Sequence, residues 1–279
     1  MDNKYQIYLI SDSTGETLDR IFLALQAQFS NFKYDSHQYA FTRTKNQILK
    51  ILEICKKKEN SIILYTIVDS GLAKFLAENC EKENIPCFGV LGDLILNFSK
   101  LLNQRASHIP SGQHVLDEDY YKRIEAIQFT MNHDDGKDVN EIEKSDVVLL
   151  GVSRTSKTPT SIYLANRGFK TCNIPIVSEN SLPNKLIKNP KISCVVGLIT
   201  EAERLIEVRK NRMTLLKETE QSTYINLEQI KKEIKISKNL FRKYNWPSID
   251  VTRKSVEEIA ASIIKIYDIM HSKWLIQLF

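Results

Sequence analysis

Asp146-Val147-Val148-Leu149-Leu150-Gly151-Val152-Ser153-Arg154-Thr155-Ser156-Lys157-Thr158-Pro159 decides how the rest of the chain is read. Its apolar run, Val147 to Leu150 and then Val152 across Gly151, has the length and composition of a buried strand. It stops at a polar turn that carries a lysine. Residues 160–168 follow as a short helix, with Ile162 and Leu164 available for packing and Gly168 placed to close its C-terminal end. Strand, turn and helix in that order are the setting that a phosphate-binding loop (P-loop) requires.

The turn fits G-x-x-x-x-G-K-[ST] at Gly151, Lys157 and Thr158, but Ser156 stands where the second glycine is expected. That glycine normally lets the backbone curl until successive N–H groups face phosphate oxygens, and serine does so only at a steric cost. Val152, Ser153, Arg154, Thr155 and Ser156 would form the cradle. Lys157 would offer a cation to the phosphates and Thr158 a hydroxyl to Mg²⁺, and the start of the helix would present its positive dipole end. Pro159 suits the first helical turn, where its missing N–H is no loss. The plain alternative is an ordinary strand-to-helix turn with a surface lysine.

The 279 residues are enough for two domains or one large α/β domain, and 42% hydrophobic with 26% charged residues is a globular balance. The net charge of +5 comes from scattered lysines, densest at Lys56-Lys57-Lys58 on what reads as a helix end. A solvated surface explains this better than a nucleic-acid stripe, so no nucleic-acid partner is expected. The five cysteines, Cys55, Cys80, Cys87, Cys172 and Cys194, never form C-x-x-C. They suit a reducing compartment and give no zinc set. No apolar run approaches the roughly 18 residues of a membrane span, and the polar Ser11-Asp12-Ser13 comes too early for a signal peptide, so a soluble, cytoplasmic protein is expected.

Before the central stretch, strands at 5–10, 34–41, 61–68 and 86–90 alternate with helices at 16–29, 44–58, 71–83 and 93–103. The pattern of an α/β fold built on a parallel sheet is clear. In the first helix Leu18, Ile21, Phe22, Leu25 and Phe29 share a face. Ser11-Asp12-Ser13-Thr14-Gly15 leads into it; such a turn either caps the helix or holds an anion, and capping is the commoner use of these residues. Asp69 could likewise hold a metal or cap the next helix. The aperiodic segment 104–113, with Pro110, Ser111 and Gly112, is a linker candidate. The chain therefore divides into an N-terminal α/β domain (1–104), a linker and helix (105–140) and a P-loop-containing α/β domain (141–279).

The helix 117–131 turns Tyr121, Ile124, Ile127 and Phe129 or Met131 inward and ends at His133-Asp134-Asp135-Gly136. Two carboxylates beside an imidazole can position a hydroxyl, accept its proton, or hold Mg²⁺ through water, although the same residues also make good turns. Beyond the central stretch lie strands at 171–177, 192–199 and 248–251 and helices at 201–216, 224–244 and 255–273, the last opened by a Ser255/Glu258 capping box. Arg209 and Arg212 share a helical face with Arg204 nearby, either as a phosphate clamp or as a solvated basic face. Asp250, at a strand end, is the candidate metal carboxylate of this half.

Several of these motifs resemble one family. Gly151-Val152-Ser153-Arg154-Thr155-Ser156-Lys157-Thr158-Pro159, Ser11-Asp12-Ser13-Thr14-Gly15-Glu16-Thr17, Lys122-Arg123-Ile124-Glu125-Ala126-Ile127, His133-Asp134-Asp135-Gly136 and Asp250-Val251-Thr252 are similar, in the same order, to motifs of the regulatory proteins of pyruvate, phosphate dikinase and phosphoenolpyruvate synthase. Thr155-Ser156 is more like the dikinase branch, since the synthase branch tends to have glycine in place of Ser156. The resemblance implies a bifunctional enzyme. It would phosphorylate a threonine of the dikinase with ADP as donor, and remove that phosphate with inorganic phosphate to give pyrophosphate. It also implies catalytic roles for Lys157, His133, Asp134 and Asp135 and a homodimer, while the loop and strand-end positions themselves point to Thr158 and Asp250 for Mg²⁺. Asp134 is taken as general base with Asp135 assisting the metal, the reverse order staying open.

Two other functions fit the residues alone. One is a P-loop kinase of a small metabolite, with the arginine-bearing helix as lid. The other is a nucleotide-dependent switch without chemistry, against which stands the absence of Asn-Lys-x-Asp. The chain also lacks G-x-G-x-x-G, H-R-D and D-F-G, which argues against an ordinary protein-kinase fold.

Overall fold

A computed structural model describes residues 4–112, 117–216 and 224–277. The chain forms two compact α/β units, divided between Val115 and Leu116. Each has a four-stranded, wholly parallel sheet, so the expected α/β class holds.

In the first unit β1 (Tyr5–Ser11), α1 (Glu16–Gln26), β2 (Tyr34–Tyr39), α2 (Lys45–Cys55), β3 (Ser61–Thr66), α3 (Ser70–Lys82), β4 (Cys87–Gly89) and α4 (Gly92–Leu102) follow one another, with strand order β2-β1-β3-β4. Side chains alternate across a strand, and β1 shows the consequence. Ile7 and Leu9 pack with Leu18 and Phe22 of α1, whereas Tyr8 and Ile10 pack with Ile48, Ile51 and Leu76 of α2 and α3. Helix α1 stops at Gln26, short of the expected 29, and only Leu18 and Phe22 of its apolar face are buried. Leu25 and Phe29 are exposed. Asp69 caps α3, accepting from Leu72 N at 2.8 Å.

The second unit begins with α5 (Glu118–Asn132) and continues through β5 (Val147–Gly151), α6 (Lys157–Ala165), β6 (Thr171–Pro175), α7 (Asn184–Lys188), β7 (Cys194–Ile199), α8 (Ala202–Leu216), α9 (Leu227–Lys243), β8 (Ser248–Asp250) and α10 (Val256–Gln277). The order is β6-β5-β7-β8. Every residue of β5 is buried because both faces are covered. Val148 and Leu150 meet Phe241 and Trp246 from the α9 side, while Val147 and Leu149 meet Leu164, Ile259 and Ile263 of α6 and α10. This double cover is why the strand reads as an unbroken apolar run. Burying each of these side chains contributes about 1.5–3 kcal/mol.

Two expectations about packing fail here. Helix α5 buries Ala126 and Thr130, while Tyr121, Ile124 and Met131 are exposed. Small residues let the helix approach its neighbours closely, and bulky ones on that face would hold it off. In α6, Leu164 is buried but Ile162 is 47% exposed. Gly168 does close that helix, at φ 87°.

Phe241 lies directly over β7: a Cβ added to Gly197 would stand 2.4 Å from its ring. Gly197→Ala is expected to lower stability by about 1–3 kcal/mol through overpacking. Urea unfolding checks this, and an unchanged midpoint would show that the ring has room to move.

Candidate functional site

In an open parallel sheet the crevice lies beyond the C-terminal strand ends, where the order reverses. In the second unit that point is between β5 and β7, and the turn 152–156 leaves β5 there. Gly151 has no space for a side chain, since an added Cβ would meet Leu198 O at 2.6 Å and Thr155 Oγ1 at 2.8 Å. Val152 is buried against Leu205, Ile230 and Ile234. Arg154 (φ 74°) and Ser156 (φ 60°) are both left-handed. Ser156 therefore adopts the backbone conformation of the glycine it replaces. It precedes α6 without any side-chain cap bond, so the N–H groups of the first turn are not taken up by it.

A left-handed serine carries a penalty of roughly 1–2 kcal/mol relative to its preferred conformations. Ser156→Gly is accordingly expected to raise stability by about 0.5–1 kcal/mol, and Ser156→Val to lower it. Paired chemical denaturation measures both, and a destabilised glycine variant would mean that the serine side chain has an unrecognised structural role.

Lys157 is 5% exposed. One of its N–H groups donates to Val152 O at 2.9 Å, an oxygen that also accepts from Thr155 Oγ1 at 2.9 Å. Burial pushes the ammonium down to about 8, against the opposing pull of the Asp135 and Asp134 charges. The next residue, Thr158, donates from Oγ1 to Asp134 Oδ1 at 3.0 Å. Asn173 of β6 donates to both, at 2.5 Å to Asp134 Oδ1 and 3.0 Å to Thr158 Oγ1. The acidic turn and the start of α6 are thus one hydrogen-bonded assembly.

Asp135 is exposed and left-handed, φ 56°, and makes no side-chain hydrogen bond among the described residues. His133 is buried, with Nδ1 2.7 Å from Phe129 O and its ring stacked on Phe129 at 3.8 Å. Its imidazole bonds back along α5 rather than to either carboxylate, because the carbonyl one turn earlier is within reach. Nε2 has no partner among the described residues.

Asp250 is placed elsewhere. It ends β8, with β7 between that strand and β5, and accepts from Thr252 N at 2.9 Å and Thr252 Oγ1 at 2.6 Å. Those bonds hold its carboxyl below the usual range. It borders a cavity of about 440 Å³ with Lys231, Lys235 and Lys238. The carboxylate that touches Thr158 is Asp134.

Among the described residues Arg209 is the largest fully buried side chain, 1% exposed. It pairs with Glu233 at 2.7 Å, donates to Tyr224 O at 3.0 Å and reaches Ser153 O at 3.4 Å. Arg154 Nε donates to Tyr224 Oη at 3.2 Å. Burial raises the Tyr224 phenol, but the Ser153 and Arg154 hydrogen bonds and the neighbouring guanidinium charges outweigh it, leaving a net lowering. Arg212 is exposed, and Arg204 pairs with Glu207. The basic residues of α8 are therefore neither a shared clamp nor a uniformly solvated face: Arg209 props the turn from beneath. Neither Asn173 nor Arg209 in this role is apparent from spacing. An amide at the centre of a buried strand is the one signal that marks Asn173.

In the first unit, Ser11 Oγ accepts from Ser13 N and Thr66 Oγ1, both at 3.1 Å, and Asp12 Oδ2 accepts from Val68 N at 2.7 Å. These residues tie the turn to the end of β3. Capping, the expected role, is not what they do: the cap position of α1 is Gly15, without a side-chain bond. With Thr14, Thr17 and Ser111 they line a cavity of about 210 Å³.

A parallel α/β unit whose phosphate-loop-like turn is joined to an acidic turn narrows the class, and comparison with known proteins completes it. The kinase/pyrophosphorylase family matches residues 7–264. A Pelagibacter ubique (strain HTCC1062) protein named "Putative pyruvate, phosphate dikinase regulatory protein" is 68% identical over 269 residues, 96% of this chain and 98% of its own length. A protein of the same name from Chelativorans sp. (strain BNC1) is 45% identical over 260 residues, 93% of this chain and 95% of its own. The chain belongs to the kinase/pyrophosphorylase family. Among the described residues no helix is long and apolar enough to cross a membrane.

Proposed function

We propose that this protein regulates pyruvate, phosphate dikinase by two opposed phosphoryl transfers at the end of β5. The observation that carries this is the assembly of Lys157, Thr158, Asp134 and Asn173 around one turn, together with the names of its relatives. The Lys157 ammonium, the turn N–H groups and the start of α6 bind the diphosphate of ADP. In the kinase direction the dikinase threonine oxygen bonds to the β-phosphorus while the bond to the α,β-bridging oxygen breaks. AMP leaves with that oxygen, and the hydroxyl proton passes to a carboxylate. In the other direction an oxygen of inorganic phosphate attacks the phosphothreonine phosphorus, pyrophosphate forms, and the threonine oxygen regains a proton.

The two carboxylates take these roles in the order opposite to the one first expected. Asp134 Oδ1 already accepts twice, whereas Asp135 is exposed and makes no side-chain hydrogen bond among the described residues, so Asp135 is taken as the proton acceptor. Thr158 and Asp134 would hold Mg²⁺; the donor set fits, since the hydroxyl keeps one lone pair and Asp134 keeps Oδ2. The ion would neutralise charge on the phosphates.

The test is incubation with purified, histidine-phosphorylated dikinase and β-labelled ADP. Label on a dikinase threonine with equimolar AMP is expected, followed by labelled pyrophosphate once phosphate is added. Labelling of phosphoenolpyruvate synthase instead would move the client to that enzyme, and ATP-dependent labelling of a metabolite would replace this function by a small-molecule kinase.

A further inference from the structure

Strand β6 is buried along nearly its whole length, yet carries an amide at its centre. Asn173 is 0% exposed and lies in register with Leu149 of β5. Its Nδ2 donates to Asp134 Oδ1 and Thr158 Oγ1, and Thr158 Oγ1 donates in turn to Asp134 Oδ1. The three groups close a ring in which each hydrogen has one place to go. Turning the amide over would set its oxygen against the carboxylate, so charge fixes its orientation. The backbone N–H of Asn173 donates to His133 O at 3.1 Å, so the residue also pins the point where the acidic turn leaves α5.

This arrangement has a cost that packing does not repay. Asn173 Oδ1 is buried without a partner among the described residues, and an unmet buried oxygen costs about 1–3 kcal/mol. Valine would suit a buried strand better. What the amide adds is direction. With the Thr158 proton drawn to Asp134 Oδ1 and one lone pair engaged by Asn173, the hydroxyl keeps a single lone pair, and Asp134 keeps its second oxygen, Oδ2.

We propose that Asn173 is a positioning residue for phosphoryl transfer, one that locks Asp134 against Thr158 so that both present free oxygens to a divalent cation accompanying the diphosphate. This rests on the function proposed above. Residues that orient a ligating group typically change metal affinity by about 10–100-fold when removed.

The test is a double-mutant cycle on Mn²⁺ affinity in the presence of ADP, read by electron paramagnetic resonance for the parent protein, Asn173→Val, Asp134→Ala and the double variant. Each single change is expected to weaken Mn²⁺ about tenfold and the double change hardly more, because the two act as one unit. Metal-free ADP affinity should stay within about twofold, and the rate should show a fall in kcat without a change in KM for ADP. Parent-like Mn²⁺ binding by Asn173→Val, or fully additive losses, would overturn the assignment alone. A parent protein that binds neither ADP nor Mn²⁺–ADP would overturn the functional reading with it. Should Asn173→Val not fold, the parent answers: the Asn173 side-chain ¹⁵N resonance must move when Mg²⁺ joins ADP and not with ADP alone, and a resonance indifferent to Mg²⁺ refutes the proposal.

Discussion

If the proposed function holds, replacing Lys157 by methionine should leave a folded protein that has lost at least about 100-fold in both directions of phosphoryl transfer, because the proposal makes this ammonium the cation that meets the phosphoryl charge in each. Assays of threonine labelling and of pyrophosphate release measure the two rates separately, and survival of either one would show that the turn is not a shared site. The same variant carries a signature in stability. Lys157 has a folded-state value of about 8, below the 10.5 of a free lysine. Between these limits the unfolded chain holds more protons than the folded one, so stability rises with pH. This residue contributes about 3 kcal/mol across that window and nothing further above it. Below pH 8 the buried ammonium is a burden that methionine removes. The variant should therefore be no less stable than the parent at pH 7, with its advantage shrinking toward pH 10. Parallel denaturation curves at the two pH values check this, and a constant difference would mean that the amine titrates as though exposed.

The second large effect is expected at the acidic turn. Asp135→Asn should suppress threonine phosphorylation by about 10²–10⁴-fold, the range of a lost general base, while calorimetric ADP affinity stays near that of the parent. Asp134→Asn should instead raise the Mg²⁺ concentration needed for half-maximal rate, because it disturbs the group bonded to Thr158. Measuring both variants across a Mg²⁺ series separates the roles. If Asp134→Asn removes activity at every Mg²⁺ concentration while Asp135→Asn remains active, Asp134 is the base.

The sequence carries the site's frame more openly than its interior. The buried run before Gly151 and the lysine after Ser156 define strand, turn and helix, because hydrophobic periodicity and local turn chemistry are properties of neighbouring residues. Ser156 shows the reach of that logic: the position demands a left-handed backbone, and the chain supplies one with serine. Contacts across the fold are hidden. Asn173 meets Asp134 from 39 residues away, and Arg209 meets Glu233 from 24. Arginine three residues from arginine on a helix looks like a basic face until the packing of α8 on α9 buries one of the two and leaves the other in solvent. Helix α5 misleads in a similar way, since Tyr121, Ile124 and Met131 face outward and Ile127 and Phe129 are only half-buried, while Ala126 and Thr130 are the residues fully buried. Asp250 resembles a metal ligand by its place at a strand end, but Thr252 occupies it and Asp134 stands beside Thr158.

The central claim is that the turn after β5 grips a diphosphate through Lys157, and proton-linked calorimetry tests it most directly. Mg²⁺–ADP would be titrated at pH 8 into the parent protein and into Lys157→Met, in buffers of differing ionisation enthalpy. Phosphate oxygens beside the amine should restore the charge that burial disfavours, so binding to the parent is expected with net proton uptake, and both heat and uptake should be lost in the variant. Equal affinity and equal proton uptake in the two proteins would contradict it.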